Sequence, residues 1–398
     1  MRLKVRHGQA GMLVWSMIFV GCGSHAPPMS GEPSDEPDQV QSGPCDIPGT
    51  ICTVAGTGMS LFDGDGRAAR ETSFYYPLDI EFDLEGRALI LDWNNLRVRR
   101  INEDGTIETI MGIGLEAFPE NGALAVDTPL HHPSDIEMTP DGVLYVAGNH
   151  VPVVFLVETD NRVSVIAGSK EYGYGGDGGP ATEAVMSVPF GALPDDRGGF
   201  YVTDYEAHVI RYVDVNGAIS TAAGTGERGY AGDGGPAVDA MLNGPTRLAM
   251  GPDGLLYFCD TNNNVVRRIE DDETISNVAG IGERGYSGDG GPAEEAALVM
   301  PYDLKFAPNG DLYIADTGNN VIRRIDAEGM ISTVVGTGVE GYAGDEGPGI
   351  DCEMDGPSGI KFDVRGSMWI ADTFNQRVRR VADFLSIVDQ QDIESLLD

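Results

Sequence analysis

The sequence predicts an all-β fold: a six-bladed β-propeller of four-stranded antiparallel blades, closed by its N-terminal strand. Three observations predict it. First, columns of residues recur at a fixed step of 56 through the 398-residue chain. Gly56, Gly112, Gly168, Gly224, Gly280 and Gly336 form one column, and Pro77, Pro133, Pro189, Pro245, Pro301 and Pro357 another. No insertion breaks this register, which marks a repeat architecture. Second, each unit holds four short apolar, β-branched segments separated by turn signals. In the fifth unit YDLKFAP, DLYIAD, VIRRIDA and MISTVVG are divided by NG, TGNN and EG. Radial repetition of such units leaves only short, protected sheet edges. Third, the ends are complementary. ICTVAG (51–56) aligns with ISTVVG (331–336), an outermost strand without its three partners, while the last unit stops near Val381 with three strands. The N-terminal strand is therefore expected to complete the last blade. FLSIV (384–388) competes for that place but lacks the Gly-Thr-Gly continuation.

Before the repeats, residues 1–21 read as a targeting segment. Arg2, Lys4 and Arg6 precede an apolar run, Met12 to Val20, too short to span a bilayer as a helix. FVGC, ending at Cys22, resembles a bacterial lipoprotein signal, in which that cysteine is lipidated; Phe19 stands where such signals usually have Leu. Ordinary secretion with cleavage near Gly21 to Ser24 is the alternative. Either way the protein is expected to be exported, and the first reading anchors it in the cell envelope. Residues 22–50 are proline-rich, acidic and poor in apolar side chains, the composition of a disordered tether. The propeller is expected over 51–382 and a C-terminal tail over 383–398.

Between blades runs a glycine-rich linker, GERGYSGDGGP (282–292) in one copy. Its aspartate falls at Asp65, Asp177, Asp233, Asp289 and Asp345, with Asn121 in the remaining unit, and an aromatic precedes it each time. Glycines supply the positive φ angles of sharp turns, the aspartate can cap backbone N–H groups, and the proline ends the segment. This reads as a joint. A phosphate cradle would need a Lys-Ser/Thr partner, and a calcium loop more than one carboxylate.

Two further columns suggest ion pairs inside the blades. Asp92, Asp204, Asp260, Asp316 and Asp372 close the second strand; Arg99, Arg211, Arg267, Arg323 and Arg379 lie on the third. The second unit has Gly148 and Phe155 instead, so both partners vanish together, as expected if halving a pair costs more than removing it. That unit also holds His131, His132 and His150. Adjacent in a turn, His131 and His132 are expected to diverge, with His150 apart beyond the second strand, so no zinc site or catalytic base is expected there. His208 reads as a polar turn residue. Near the axis, Asp79, Asp135 and Asp303 follow their column prolines by two residues, beside Arg247, Gly191 and Gly359. Three carboxylates around a channel are the candidate calcium site, with solvated rim charges as the plain alternative. Cys259 and Cys352 take small buried slots held elsewhere by alanine and read as free thiols. Cys52, facing away from the core, and Cys45 are expected to form a disulfide in an exported protein.

LYIADTGNNVIRRID (312–326), LYFCDTNNNVVRRIE (256–270) and MWIADTFNQRVRRVA (368–382) resemble the NHL repeat, and GYAGDGGPA (229–237) is similar to the linkers of bacterial and teneurin-like NHL propellers. The resemblance covers 51–382. It implies six blades and, in most such proteins, a binding platform, with a minority of lyases and hydrolases.

Charge narrows the partners. With 26 Lys+Arg against 63 Asp+Glu, the formal net charge is −37. That excludes nucleic acid, whose affinity comes from cations on phosphates, and electrostatic docking on an anionic bilayer. The expected function is non-catalytic binding of a protein, glycan or envelope component through one face, by a monomer that meets the membrane only through its lipid anchor and needs no cofactor. The alternative is a calcium-dependent hydrolase or lyase using the central channel. No Ser-His-Asp or Cys-His set has convincing spacing, so no catalytic residue is assigned.

Overall fold

The computed structural model describes residues 43–388; the signal and most of the tether, including Cys22, lie outside them, as do residues 389–398. Six antiparallel sheets repeat around an axis. In the first blade the strands are Pro77–Phe82 at the axis, Ala88–Asp92, Arg97–Ile101 and, outermost, Ile107–Met111. The later blades begin at Pro133, Pro189, Pro245, Pro301 and Pro357. Each column proline thus opens an innermost strand, where a residue lacking an N–H costs the ladder least.

Closure is N-terminal. Thr50–Ala55 pairs with Arg377–Val381, with Ile51 opposite Val381 and Cys52 opposite Arg380. Residues 384–388, the competing segment, are helical instead. Phe384 and Val388 join Ile51, Ile360 and Val381 in one core cluster, so the start of the tail seals the blade it does not enter.

The cores lie between neighbouring blades, where the apolar faces of two sheets meet. Val266 and Ala279 of the fourth blade pack with Leu304, Ile314 and Ile331 of the fifth. Glycine is obligatory where each outermost strand leaves its blade. Gly280 has φ +95°, and a Cβ there would sit 2.4 Å from the Asn264 carbonyl oxygen.

The linkers do more than join. Each lies along the outer edge of the blade it is about to enter before turning in to the axis. Gly347–Pro348 pairs with Thr50 and Ile51, Gly291–Pro292 with Met330 and Ile331, and isolated bridges such as Pro236 to Thr274 do the same in the other blades. The edge N–H and C=O groups that would template aggregation are thereby covered.

Candidate functional site

Three sets of polar side chains stand out: one inside the blades, one on the axis, one on a face.

Inside the blades, the two sequence columns and the linker aspartate meet in one array. Arg99, Arg267, Arg323 and Arg379 approach Asp92, Asp260, Asp316 and Asp372 of their own blade at 3.3, 3.4, 3.4 and 3.5 Å. Both partners are wholly buried. The same guanidinium groups reach outward to Asp65, Asp233, Asp289 and Asp345 at 2.9, 2.8, 2.7 and 2.7 Å. The linker aromatic covers them: Phe62, Tyr174, Tyr230, Tyr286 and Tyr342 lie 4.9 to 5.4 Å from the arginine carbons. The third blade departs from the expected pair. Asp204 accepts from the Ser187 and Val188 N–H groups, and Arg211 turns to Asp177 and the Gly175 carbonyl.

Each arginine therefore bridges hairpin and linker, a connection the columns did not disclose. Unit two lacks all three members, with Asn121, Gly148 and Phe155 in their places. Burial lifts the inner carboxyls, Asp92, Asp204, Asp260 and Asp316 to about 6 and Asp372 to about 7, against the pull of their hydrogen bonds. These are structural side chains, wholly buried.

On the axis the three candidate calcium ligands do converge, but around a side chain. Arg247 donates to Asp79 Oδ2 at 2.8 Å and is paired with Asp135. The carboxylates also accept backbone N–H groups: Asp79 from Ile80 at Oδ1 and from Ile136 at Oδ2, Asp135 from Ala192, Asp303 from Leu304 and Ile360. Asp79 and Asp303 are 1% and 0% exposed. This set does not fit a calcium ion, and neither does the reading of solvated rim charges. The physical reason is register: the residue two places after each proline points to the axis in every blade, so the fourth blade's Arg247 shares the space with the acids.

A second tier, missed in the sequence, lies two residues farther on. Lys305 bonds Glu137 at 3.1 Å, and Lys361 bonds Glu81 and Glu137 at 2.6 and 3.2 Å. Burial pushes Glu137 up, but the two lysines outweigh it and hold its carboxyl down at about 2. The channel is filled by ion pairs.

The third set lies on the face formed by the linker ends and the turns between second and third strands. There the structure overturns the expectation for the histidines. The His150 N–H donates to the His131 carbonyl at 3.3 Å, and the Asn149 N–H to the His132 carbonyl at 3.2 Å. The same pairing recurs in other blades, for instance Asn94 to Tyr75 and Asn262 to Asn243. The signal was therefore present: two columns that sit together in other blades both hold histidine in unit two. One ring nitrogen from each of His131, His132 and His150 lies within 4.8 Å of the other two.

His132, 9% exposed, has φ +52°, a sparsely populated conformation for the residue before a proline, shared by Tyr76 and Met300 of the same column. Its Nε2 lies 3.0 Å from Asn94 Oδ1, while its Nδ1 is buried with no hydrogen-bond partner. Burial, then His150 and His131, push its imidazole down to about 3; burial also lowers His131 and His150. Each shift favours the neutral imidazole. Tyr172 donates to the His150 carbonyl at 2.6 Å, and Glu116 lies 3.5 Å from His131 Nε2.

Rings extend from this cluster across three blades. Phe374 meets Tyr76 at 5.7 Å, Tyr76 meets Trp93 at 6.2 Å, Trp93 meets His132 at 4.5 Å, and His132 meets His150 at 4.5 Å. Except for His132, these rings are partly exposed. Two other features sit elsewhere. Cys45 and Cys52 form a disulfide, with Cys52 buried under the Cys45 turn rather than facing outward into solvent. Cys259 and Cys352 are free and buried. His208 Nδ1 accepts the Gly244 N–H at 3.1 Å, a turn role.

Fold and columns together define the class: a closed six-bladed β-propeller whose linkers cover its edges. The model of the teneurin NHL domain matches residues 169–280 and 277–340. Mouse teneurin-4 is 27% identical over 363 residues, covering 81% of this chain, and teneurin-3 of Danio rerio is 27% identical over 383 residues, covering 84%. The chain spans 13% of the length of these relatives. Among solved structures, a Bacteroides thetaiotaomicron protein of unknown function superposes with a TM-score of 0.64 at 18% identity, over 84% of this chain and 75% of that one. A Bacteroides ovatus protein described as an auxiliary nutrient binding protein gives 0.61 at 15%, over 84% and 76%. At these identities the structures establish the fold alone. The chain is thus similar in sequence to the NHL propellers of teneurins and has a six-bladed propeller fold.

Proposed function

We propose that the chain is a non-catalytic binding platform of the cell envelope, engaging a protein, glycan or other envelope component through the face that carries the aromatic arc. One observation carries this reading: Phe374, Tyr76, Trp93 and the histidines form a continuous row of partly exposed rings across blades six, one and two. Such rings supply large contact area with few rotors to immobilise, and they concentrate at binding surfaces. The filled channel favours recognition at the surface over chemistry at the axis. The description of the Bacteroides ovatus fold relative as an auxiliary nutrient binding protein is in keeping with this role. Export agrees with the Cys45–Cys52 disulfide, and anchoring through Cys22 would place the disc at the membrane on its tether.

The test is capture from envelope extracts and on a glycan array, comparing wild type with Tyr76→Ala, Trp93→Ala and, on the opposite face, Val364→Asp. Val364 is 99% exposed in a first-to-second-strand turn. Loss of capture by the first two, with Val364→Asp unchanged, is expected. Capture insensitive to Tyr76 and Trp93, or abolished by Val364→Asp, would place the interface elsewhere.

A further inference from the structure

We propose that His131, His132 and His150 form a binding site for a divalent transition-metal ion of the zinc class, open to the face of the second blade. The inference goes beyond the binding reading and stands or falls separately from it.

Its first support is convergence. Three ring nitrogens within 4.8 Å of one another need only modest side-chain rotation to reach a tetrahedral ion, whose nitrogen ligands lie about 3.4 Å apart when each bond is about 2.0–2.1 Å. His131 and His150, half-buried on turns, are free to make that movement; His132 is the fixed member.

The second support is His132 itself. Asn94 Oδ1 is an acceptor, so the Nε2 beside it carries the proton and donates. In the neutral imidazole Nδ1 is then a bare lone pair. That atom is buried with no donor aimed at it. A buried acceptor without a partner is costly, and an ion supplies the missing one. Donation from the distal nitrogen to an oxygen is also how proteins fix a metal-binding histidine in the correct tautomer and orientation. The left-handed backbone at His132, held by its pairing to Asn149, aims the ring inward.

The donor set selects the ion. Imidazole nitrogens suit zinc, copper and nickel, whereas calcium and magnesium want oxygen. Glu116, 3.5 Å from His131 Nε2, is the carboxylate within reach of the remaining position. Three protein ligands and an accessible fourth place describe a site that can also accept a ligand atom from a bound partner.

The full chain is stripped with chelator, incubated with Zn2+ and passed through a desalting column before elemental analysis. Wild type is expected to retain one equivalent, and Co2+ loading should give visible d–d absorption. His131→Ala and His150→Ala, both on half-exposed turn residues, should lose the ion with unchanged circular dichroism and melting temperature. Asn94→Ala, which removes the positioning oxygen, should weaken Zn2+ about 10–100-fold. Trp93, 4.5 Å from the His132 ring, gives an independent readout: Cu2+ should quench its fluorescence in wild type and not in His150→Ala. Two results overturn the proposal. One is a wild type that retains no ion. The other is full retention by the His131→Ala/His150→Ala double variant, which would locate the metal on the acidic surface.

Discussion

Arg267 of the fourth blade offers the sharpest quantitative prediction. It is fully buried between Asp260, 3.4 Å away and equally buried, and Asp233, whose Oδ1 accepts from Nε and Nη2 at 3.1 and 2.8 Å. Asp260 also accepts the Asn243 N–H at 2.7 Å and the Asn263 amide at 2.8 Å. Asp260→Ala leaves a buried guanidinium that cannot discharge, plus two orphaned donors, so it should cost about 3–5 kcal/mol. Arg267→Phe should cost less, about 1–3 kcal/mol, because Asp260 is already lifted by burial to about 6 and can take up a proton. Asp233→Asn, at the exposed end, should cost about 1 kcal/mol. The triple variant reproduces in kind the Asn, Phe and missing carboxylate of unit two. It should cost about 2–4 kcal/mol, well below the sum of the singles. Urea unfolding of the five proteins at neutral pH, followed by circular dichroism, closes the cycle. Additive losses, or Arg267→Phe costing as much as Asp260→Ala, would refute the account of one coupled array.

Two further outcomes follow from the fold. Replacing Cys45 and Cys52 by serine should lower stability by about 2–3 kcal/mol, since the bridge closes a short loop on the strand that completes the last blade; a reductant should reproduce that loss in wild type and leave the double variant unaffected. The Asp372 carboxyl is raised by burial from its ordinary 3.8 to about 7. Folding therefore favours its protonated form, and its contribution is fully present below about 3.8 and lost as pH rises through about 7. Wild type should lose stability relative to Asp372→Asn between those values, by up to about 1.4 kcal/mol per pH unit. A constant difference in melting temperature between the two, from pH 4 to 7.5, would contradict the shift.

Much of this molecule is written along the chain, because a repeat turns sequence distance into spatial equivalence. The proline column at Pro77 and its successors sets where each innermost strand begins. The glycines at Gly56 and its successors set where each outermost strand ends. The three-stranded last unit left one vacancy that ICTVAG matched. Those features depend on local turn geometry and strand pattern, which one unit contains in full. What depended on neighbouring units was not legible. The column placed Arg247 beside Asp79, Asp135 and Asp303 near the axis, but only closure showed its side chain reaching across to pair with Asp79 and Asp135. Asp65 and its counterparts read as turn residues until the linkers were laid along the outer strands, within reach of the arginines. His131 and His150 are 19 positions apart and read as separate. The hairpin return between the second and third strands sets them side by side. Periodicity dictated the blades, since each residue's place within a unit is fixed by short-range pairing; the imidazoles meet through the hairpin return inside the second blade, and which charges share the axis was decided only when six units closed into a ring.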